Sequence, residues 1–254
     1  MKITITNNIA LNGGDAAILL GMVKALRNRF GQDTEFVVTG TYPEVCAKLY
    51  PEFKWRSVIG RNADSTPFNH IRVIGRVFRL FKRYRYYIAA YLRRWQIPLY
   101  RLFLCKYDAD TLNEYATSDY IISSGGTYLI EPYGITAQYI DYRISIILGK
   151  PLIQYTQSMG PFVRKQTQER LRWGFNRCSV IFLRDQKSKK NVLELQLLDN
   201  PNVYVVPDAA FALCDIDILS ERRNDPLNKY GNVAISVRDW AHSNNRNTMP
   251  NYYK

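Results

Sequence analysis

The sequence predicts an α/β protein built on a Rossmann-like parallel sheet, and three observations carry that prediction. Short aliphatic and β-branched runs alternate with segments of helical periodicity along most of the 254 residues, the pattern of a parallel sheet covered on both faces. Run after run ends on a polar or glycine-bearing tip, as at Asn12-Gly13-Gly14-Asp15, Ser124-Gly125-Gly126 and Arg184-Asp185. Strand tips of this kind are where α/β folds place their ligands. Finally, no apolar run reaches the roughly 18 residues that span a bilayer, so the 46% hydrophobic content is available for one large core or two modest ones.

Lys2–Thr6 alternates as a first strand and leads through the Asn12–Asp15 turn into a helix. That helix carries Ile18, Leu19, Met22, Val23, Leu26 and Phe30 at helical spacing, and Gly31 stops it. Glu35–Thr39 is the second strand. Tyr120–Ser123 is a strand entering the Gly125-Gly126 turn, a helical pattern over 136–148 follows, and Leu152–Tyr155 is the next strand. Val180–Leu183 runs into Arg184-Asp185, a helix spans 188–197, and Val203–Val206 runs into Pro207-Asp208. These segments form an N-terminal domain over 1–214. The polar, proline-containing stretch 215–231 reads as a linker, and 232–254 as the start of a further domain, with a strand at 233–237 ending on Arg238.

The formal charge of +13 is concentrated. Ten cations and no acid lie between Arg72 and Lys106, inside a predicted helical insertion at 71–106. On a helical wheel Arg72, Arg76, Arg79 and Arg83 share one face, and Ile74, Val77, Phe78, Phe81, Tyr84 and Ile88 the other, with a break before Pro98. A solvated surface helix packed on the sheet and a helix docked on an anionic membrane both fit that pattern. No nucleic-acid module surrounds it, so no specific nucleic-acid partner is expected. Cys46, Cys105, Cys178 and Cys214 are widely spaced and His70 and His242 lie far apart, so reduced thiols and no metal site are expected. The chain opens on a strand without a signal-peptide pattern, so a cytoplasmic location is expected, with peripheral contact at the inner face of the membrane through the basic helix.

The candidate site residues sit on the strand tips. Gly13 and Gly14 would let a ligand approach the backbone at a helix N-terminus, and Asp15 is either a helix cap or a ligand-facing acid. Gly125 and Gly126 form a tight turn or an amide-lined cradle. Gln157, Ser158 and Gly160, in the stretch PLIQYTQSMGPF of Pro151–Phe162, offer hydrogen bonds to a sugar or carboxylate, although Ser158 equally suits a turn. Arg184 offers a planar, permanently charged fork for phosphate or carboxylate, or pairs with Asp185 or Asp208. Asp208 orients Arg184 or caps a loop, and Arg238 is a lesser candidate.

Together, the Asn12–Asp15 turn, Ser124-Gly125-Gly126, the Gln157–Gly160 tip, Arg184-Asp185 with Ser188, and Pro207-Asp208-Ala209-Ala210-Phe211 resemble the polysaccharide pyruvyl transferase family. The resemblance covers about Lys2–Trp240. It implies one half of a GT-B-like two-domain enzyme, with phosphoenolpyruvate as donor substrate, no further cofactor, and a cell-surface polysaccharide sugar or its lipid-linked precursor as acceptor. It also implies a place in the active centre for Asp15, and donor binding by Arg184 and Ser188 of the RD-x-x-S pattern. The family's proton donor is attributed to a histidine of the C-terminal domain, a role that neither His70 nor His242 inherits, so the expectation is an incomplete enzyme. A nucleotide-sugar glycosyltransferase of GT-B type and a non-catalytic sugar-binding fragment are the competing readings.

Overall fold

The computed structural model describes residues 1–60, 72–197 and 202–214. The expected linker, the strand at 233–237, Arg238, His70 and His242 lie outside the described residues, as do the side chains of Arg72, Arg76, Arg79 and Arg83. Met1–Leu213 forms one compact unit, and Cys214–Lys254 groups as a second.

The first unit is a parallel sheet flanked by helices. Its strands are β1 (Lys2–Asn8), β2 (Glu35–Gly40), β3 (Lys54–Ser57), β4 (Tyr120–Ser123), β5 (Gly126–Leu129), β6 (Leu152–Met159), β7 (Val180–Leu183) and β8 (Asn202–Val205). They are ordered β3-β2-β1-β4-β6-β7-β8, with β5 paired to β6 off that path, and every pairing is parallel. The chain builds outward from β1 in one direction and from β4 in the other. The strand order therefore reverses between β1 and β4, the place where open α/β sheets form a ligand crevice.

Helix α1 (Gly13–Phe30) is set at both ends by local chemistry. Asn12 Oδ1 accepts from the Gly14 amide at 3.2 Å, and Gly31, at φ 103°, turns its N–H back to the Arg27 carbonyl. The buried stripe Ile18, Leu19, Met22, Val23 and Leu26 meets Ile3, Ile5, Phe36, Val38 and Ile122 on one face of the sheet. Burying each such side chain contributes roughly 1.5–3 kcal/mol relative to exposure. Ile121, Leu152, Ile181 and Leu183 point the other way, into a core shared with the remaining helices. Adjacent residues Ile121 and Ile122 thus serve opposite cores, the period-2 signature of a doubly covered strand.

Several elements escape the sequence pattern. Strand β3 reads KWRS, and Trp55 is its one buried residue. Helix α2 (Pro43–Leu49) buries Cys46 alone. Helix α4 (Lys106–Thr117) begins where the basic segment ends, and α6 (Lys165–Phe175) is polar apart from a narrow stripe including Leu171 and Phe175. Gly126, read as part of a turn, begins β5. Helices α5 (Thr136–Ile147) and α7 (Gln186–Leu193) match their predicted segments to within a few residues.

The basic segment is not one helix. Helix α3 (Arg72–Arg94) gives way to a 3-10 turn over Pro98–Phe103 before α4. Of the face expected to be apolar, Phe81, Tyr84 and Ile88 are exposed, while Tyr86, Tyr87, Ala89 and Ala90 are buried. Alanine lets the helix approach closely, and the arginines act as clasps. Arg93 donates to Asn113 Oδ1 at 2.8 Å, and Arg94 donates to the Ile147 carbonyl at 2.7 Å. Beside Asn113 on α4, buried Glu114 accepts from Lys2 at 2.7 Å, Lys54 at 3.0 Å and Arg56 at 2.8 Å. Burial pushes its carboxyl up, and the surrounding cations outweigh that and hold it below the usual range.

Candidate functional site

The carboxyl ends of β1, β4, β6 and β7 gather the predicted residues, and Arg184 is their hub. It follows β7, and its guanidinium donates to Ser158 Oγ at 2.6 Å, Asp208 Oδ2 at 2.7 Å and Thr127 Oγ1 at 2.7 Å. These partners come from the ends of β6 and β8 and from β5, so one side chain ties together the tips of neighbouring strands. The ion pair is only partly covered, with Arg184 27% and Asp208 19% exposed. Three of the five guanidinium N–H groups are spent in this way among the described residues.

The residues around Arg184 are themselves fixed. Ser158 Oγ donates to Asp185 Oδ2 at 2.7 Å. Asp185 caps α7 by accepting from the Ser188 amide at 2.6 Å. Burial raises the Asp185 carboxyl, but the hydrogen bonds from Ser158 and Ser188 and the charge of Arg184 bring it below its ordinary value. Asp208 serves both predicted roles at once, since its Oδ1 also accepts from the Ala210 amide at 3.0 Å. Its turn, Ala209–Leu213, packs on α1 where Gly21 leaves no Cβ. A Cβ there would sit 2.8 Å from the Ala209 carbonyl carbon and 3.2 Å from Ala210 Cα.

Helix α1 brings the second group of residues. Asn12 is the cap, not Asp15. Asp15 lies in the first turn, near enough to the Tyr128 hydroxyl to act on it electrostatically, and that hydroxyl is buried without a hydrogen-bond partner among the described residues. Burial, and then the Asp15 charge, push that phenol far above its usual range, while nearby Arg184 pulls the other way. Tyr128 therefore keeps its proton at any physiological pH. Gly13 and Gly14 are exposed, and among the described residues no heavy atom beyond the neighbouring backbone lies within 4 Å of where a Gly13 Cβ would stand. Packing does not demand that glycine, which leaves room for a ligand at the backbone.

Strand β6 carries a bulge that decides which side chains reach the site. Its register shifts between Gln154 and Gln157, and Thr156 has φ 47°. The in-out alternation breaks there, so Thr156 and Gln157 are both buried and Ser158 turns toward Arg184. Gln157, expected to bind ligand, is a clamp between strands, donating to Ser123 Oγ and the Ser124 carbonyl, both at 2.8 Å. Ser188 is likewise buried and accepts from the Met159 amide at 2.9 Å. Gly160, at φ 77°, lies where a Cβ would crowd Asn191 at 2.7 Å. Gly125 is also a packing glycine, with Thr156 Oγ1 2.6 Å from its would-be Cβ. Thr156 Oγ1 and Gln157 Oε1 are buried without a hydrogen-bond partner among the described residues.

Beside the Arg184–Asp208 pair opens a cavity of about 420 Å³ lined by Tyr155, Thr156, Phe182, Pro207, Asp208 and Phe211 among others. Tyr155 and Phe182 meet edge to face, with ring centroids 5.8 Å apart. Thr127 and Tyr128 were absent from the sequence-level candidates. The short β5 strand that positions them is masked by Gly126, and the GG pair was the one available signal.

A parallel sheet with an acid-bearing helix start at its β1/β4 switch point and a braced arginine at the end of β7 defines a Rossmann-like domain. The chain belongs to the polysaccharide pyruvyl transferase family, whose model matches residues 12–252. Solved structures similar to it include Anabaena Alr3699/HepE in complex with UDP and glucose, at 14% identity and a TM-score of 0.45 over 82% of this chain and 44% of that one. The UDP-glucose complex of the same protein matches at 14% identity and a TM-score of 0.43, with the same coverage. The chain thus spans less than half the length of these proteins.

Proposed function

We propose that the Arg184 cluster holds phosphoenolpyruvate for transfer of its pyruvyl group, as a ketal, to a pair of hydroxyls on a polysaccharide sugar or its lipid-linked precursor. In this reading the chain supplies the N-terminal part of the enzyme. The observation that carries it is the guanidinium fork of Arg184, braced by Thr127, Ser158 and Asp208 yet still 27% exposed. A fork fixed before the donor arrives loses little freedom on binding an oxyanion.

The chemistry sets the tasks. A proton is added to the donor's methylene carbon, a sugar oxygen forms a bond to the adjacent carbon, and the C–O bond to phosphate breaks. A second sugar hydroxyl then closes the ketal, and both hydroxyl protons are lost to base or solvent. Arg184 stabilises the departing phosphate, with Asp208 and Ser158 holding its plane. Asp15, on the open first turn of α1, accepts a hydroxyl proton. Tyr128, locked in its protonated form and with its hydroxyl unpartnered among the described residues, has a hydrogen bond to donate to a bound substrate and takes no part as a base. The aromatic faces of Tyr155 and Phe182 offer an apolar platform for the sugar ring.

Calorimetry tests the reading. Phosphoenolpyruvate binds the wild-type chain, and Arg184→Lys, which keeps the charge but loses the fork, weakens binding about tenfold, or ~1.4 kcal/mol. Circular dichroism of the same samples verifies folding. Unchanged affinity in a folded Arg184→Lys overturns the donor assignment, and binding of UDP-glucose in place of phosphoenolpyruvate would identify a sugar-nucleotide transferase.

A further inference from the structure

Helix α3 leaves a stripe of large apolar side chains uncovered. Phe81 is 70% exposed, Tyr84 55%, Ile88 43%, Tyr91 46% and Trp95 65%. Their spacing alternates three and four residues, so they form one continuous seam along the helix. Leu102, 80% exposed, extends the apolar surface onto the following 3-10 turn. This is more apolar surface than a soluble domain leaves scattered singly.

The seam lies in the most cationic part of the molecule. Residues 72–106 carry ten cations and no acid. Next to the seam is a cavity of about 200 Å³ lined by Tyr84, Tyr87, Thr136, Tyr139, Arg143 and Arg170. Tyr84 belongs to both. The arginines there are stacked on rings, Arg143 standing 4.3 Å from the Tyr87 centroid and Arg170 5.6 Å from that of Tyr139. Tyr84 and Tyr87 stand by the start of α5, while Arg94 reaches its last turn. Helix α3 therefore runs alongside α5, and its seam lies along the flank of the domain.

From this combination we propose that α3 is a membrane-docking surface: the Phe81–Trp95 seam lies in the interfacial layer of an anionic lipid bilayer, and the Arg143–Arg170 cavity receives lipid phosphate. A second copy of the chain is the competing occupant for a seam of this spacing. Charge argues against it, because the ten cations of 72–106 far outnumber the acids beside them, Asp108 by Arg85 and Asp110 by Arg101, so two apposed copies would repel. An anionic lipid surface meets both demands at once, apolar depth for the rings and negative charge for Arg101 beside Leu102 and for Arg143 and Arg170 in the adjoining cavity. The inference stands apart from the proposed transfer reaction and does not need it.

The test is sedimentation of the full chain with vesicles of phosphatidylcholine, with and without phosphatidylglycerol. The chain binds the anionic vesicles, and binding falls as salt rises. Phe81→Ser combined with Trp95→Ser weakens it at least about tenfold while the circular dichroism spectrum stays unchanged, since both side chains are exposed. Arg170→Gln reduces the preference for phosphatidylglycerol over phosphatidylcholine. A folded chain that ignores anionic vesicles overturns the proposal. So does binding untouched by the double substitution, or a dimer in sedimentation velocity that the double substitution dissolves.

Discussion

Replacing Gly21 by alanine sets two physical effects of opposite sign against each other. Within a helix, Gly→Ala ordinarily stabilises by about 0.5–1 kcal/mol through the lower entropy of the unfolded chain. At Gly21 the new methyl would stand against the Ala209 carbonyl, 2.8 Å from its carbon and 3.2 Å from Ala210 Cα. Those atoms are backbone, so the 3-10 turn must retreat as a unit. Overpacking of this kind costs about 1–3 kcal/mol. The net expectation is a loss of about 1–2 kcal/mol, read as a fall of about 2–8 °C in Tm at 2–4 °C per kcal/mol. Gly13→Ala is the comparator. With no heavy atom of the described residues beyond the neighbouring backbone within 4 Å of the would-be methyl, the entropic gain stands alone and Tm rises. Calorimetric melting of the three proteins decides the matter. A Gly21→Ala chain more stable than wild type would refute the close packing of α1 on the turn, and with it the positioning of Asp208, which caps that turn through the Ala210 amide.

Two pH-linked predictions follow from buried carboxyls. Asp141 is buried beside Tyr115, whose hydroxyl donates to it at 3.2 Å, and desolvation pushes its carboxyl up to about 8, against a small opposing pull from that hydrogen bond. The folded chain then holds a proton that the unfolded chain has released above about pH 4, so this group lowers stability progressively between pH 4 and 8. Asp141→Asn is expected to raise Tm at pH 8, to leave it nearly unchanged at pH 4, and to flatten the profile between, as read by melting across that range. Glu114 has the opposite sign. Its depressed carboxyl contributes stability that is present above the ordinary carboxylate range and lost as pH falls through the folded value. Glu114→Gln leaves Lys2, Lys54 and Arg56 without their shared acid and is expected to cost about 1–3 kcal/mol at pH 7, less at high salt because all three cations are partly exposed. Urea denaturation at two salt concentrations measures it.

Long periodic elements were legible because their residues see only one environment each. The α1 stripe, β4 and β7 announce themselves through spacing, and the alternation of strands with helices imposes a parallel sheet. Strand tips could be located for the same reason, since a buried run that stops at Gly, Asn or Arg has reached the edge of the sheet. The sequence also placed Arg184, Asp208 and Asp15 at such tips, together with their alternative partners.

Residue order and spacing alone were therefore enough for the parallel α/β architecture, the residues of its site edge and the concentration of cations in one segment. Tertiary structure alone decided which side chains face that edge. A bulge at Thr156 buries Gln157 and turns Ser158 to Arg184, and it arises from strand pairing at long range, which no local pattern encodes. The same holds for α3. Amphipathic spacing identified two faces, but packing of Ala89 and Ala90 against neighbouring helices fixed which one is buried and left the Phe81–Trp95 seam outside. A helix can be read for the periodicity of its residues; its orientation depends on what else in the fold competes for the same surface.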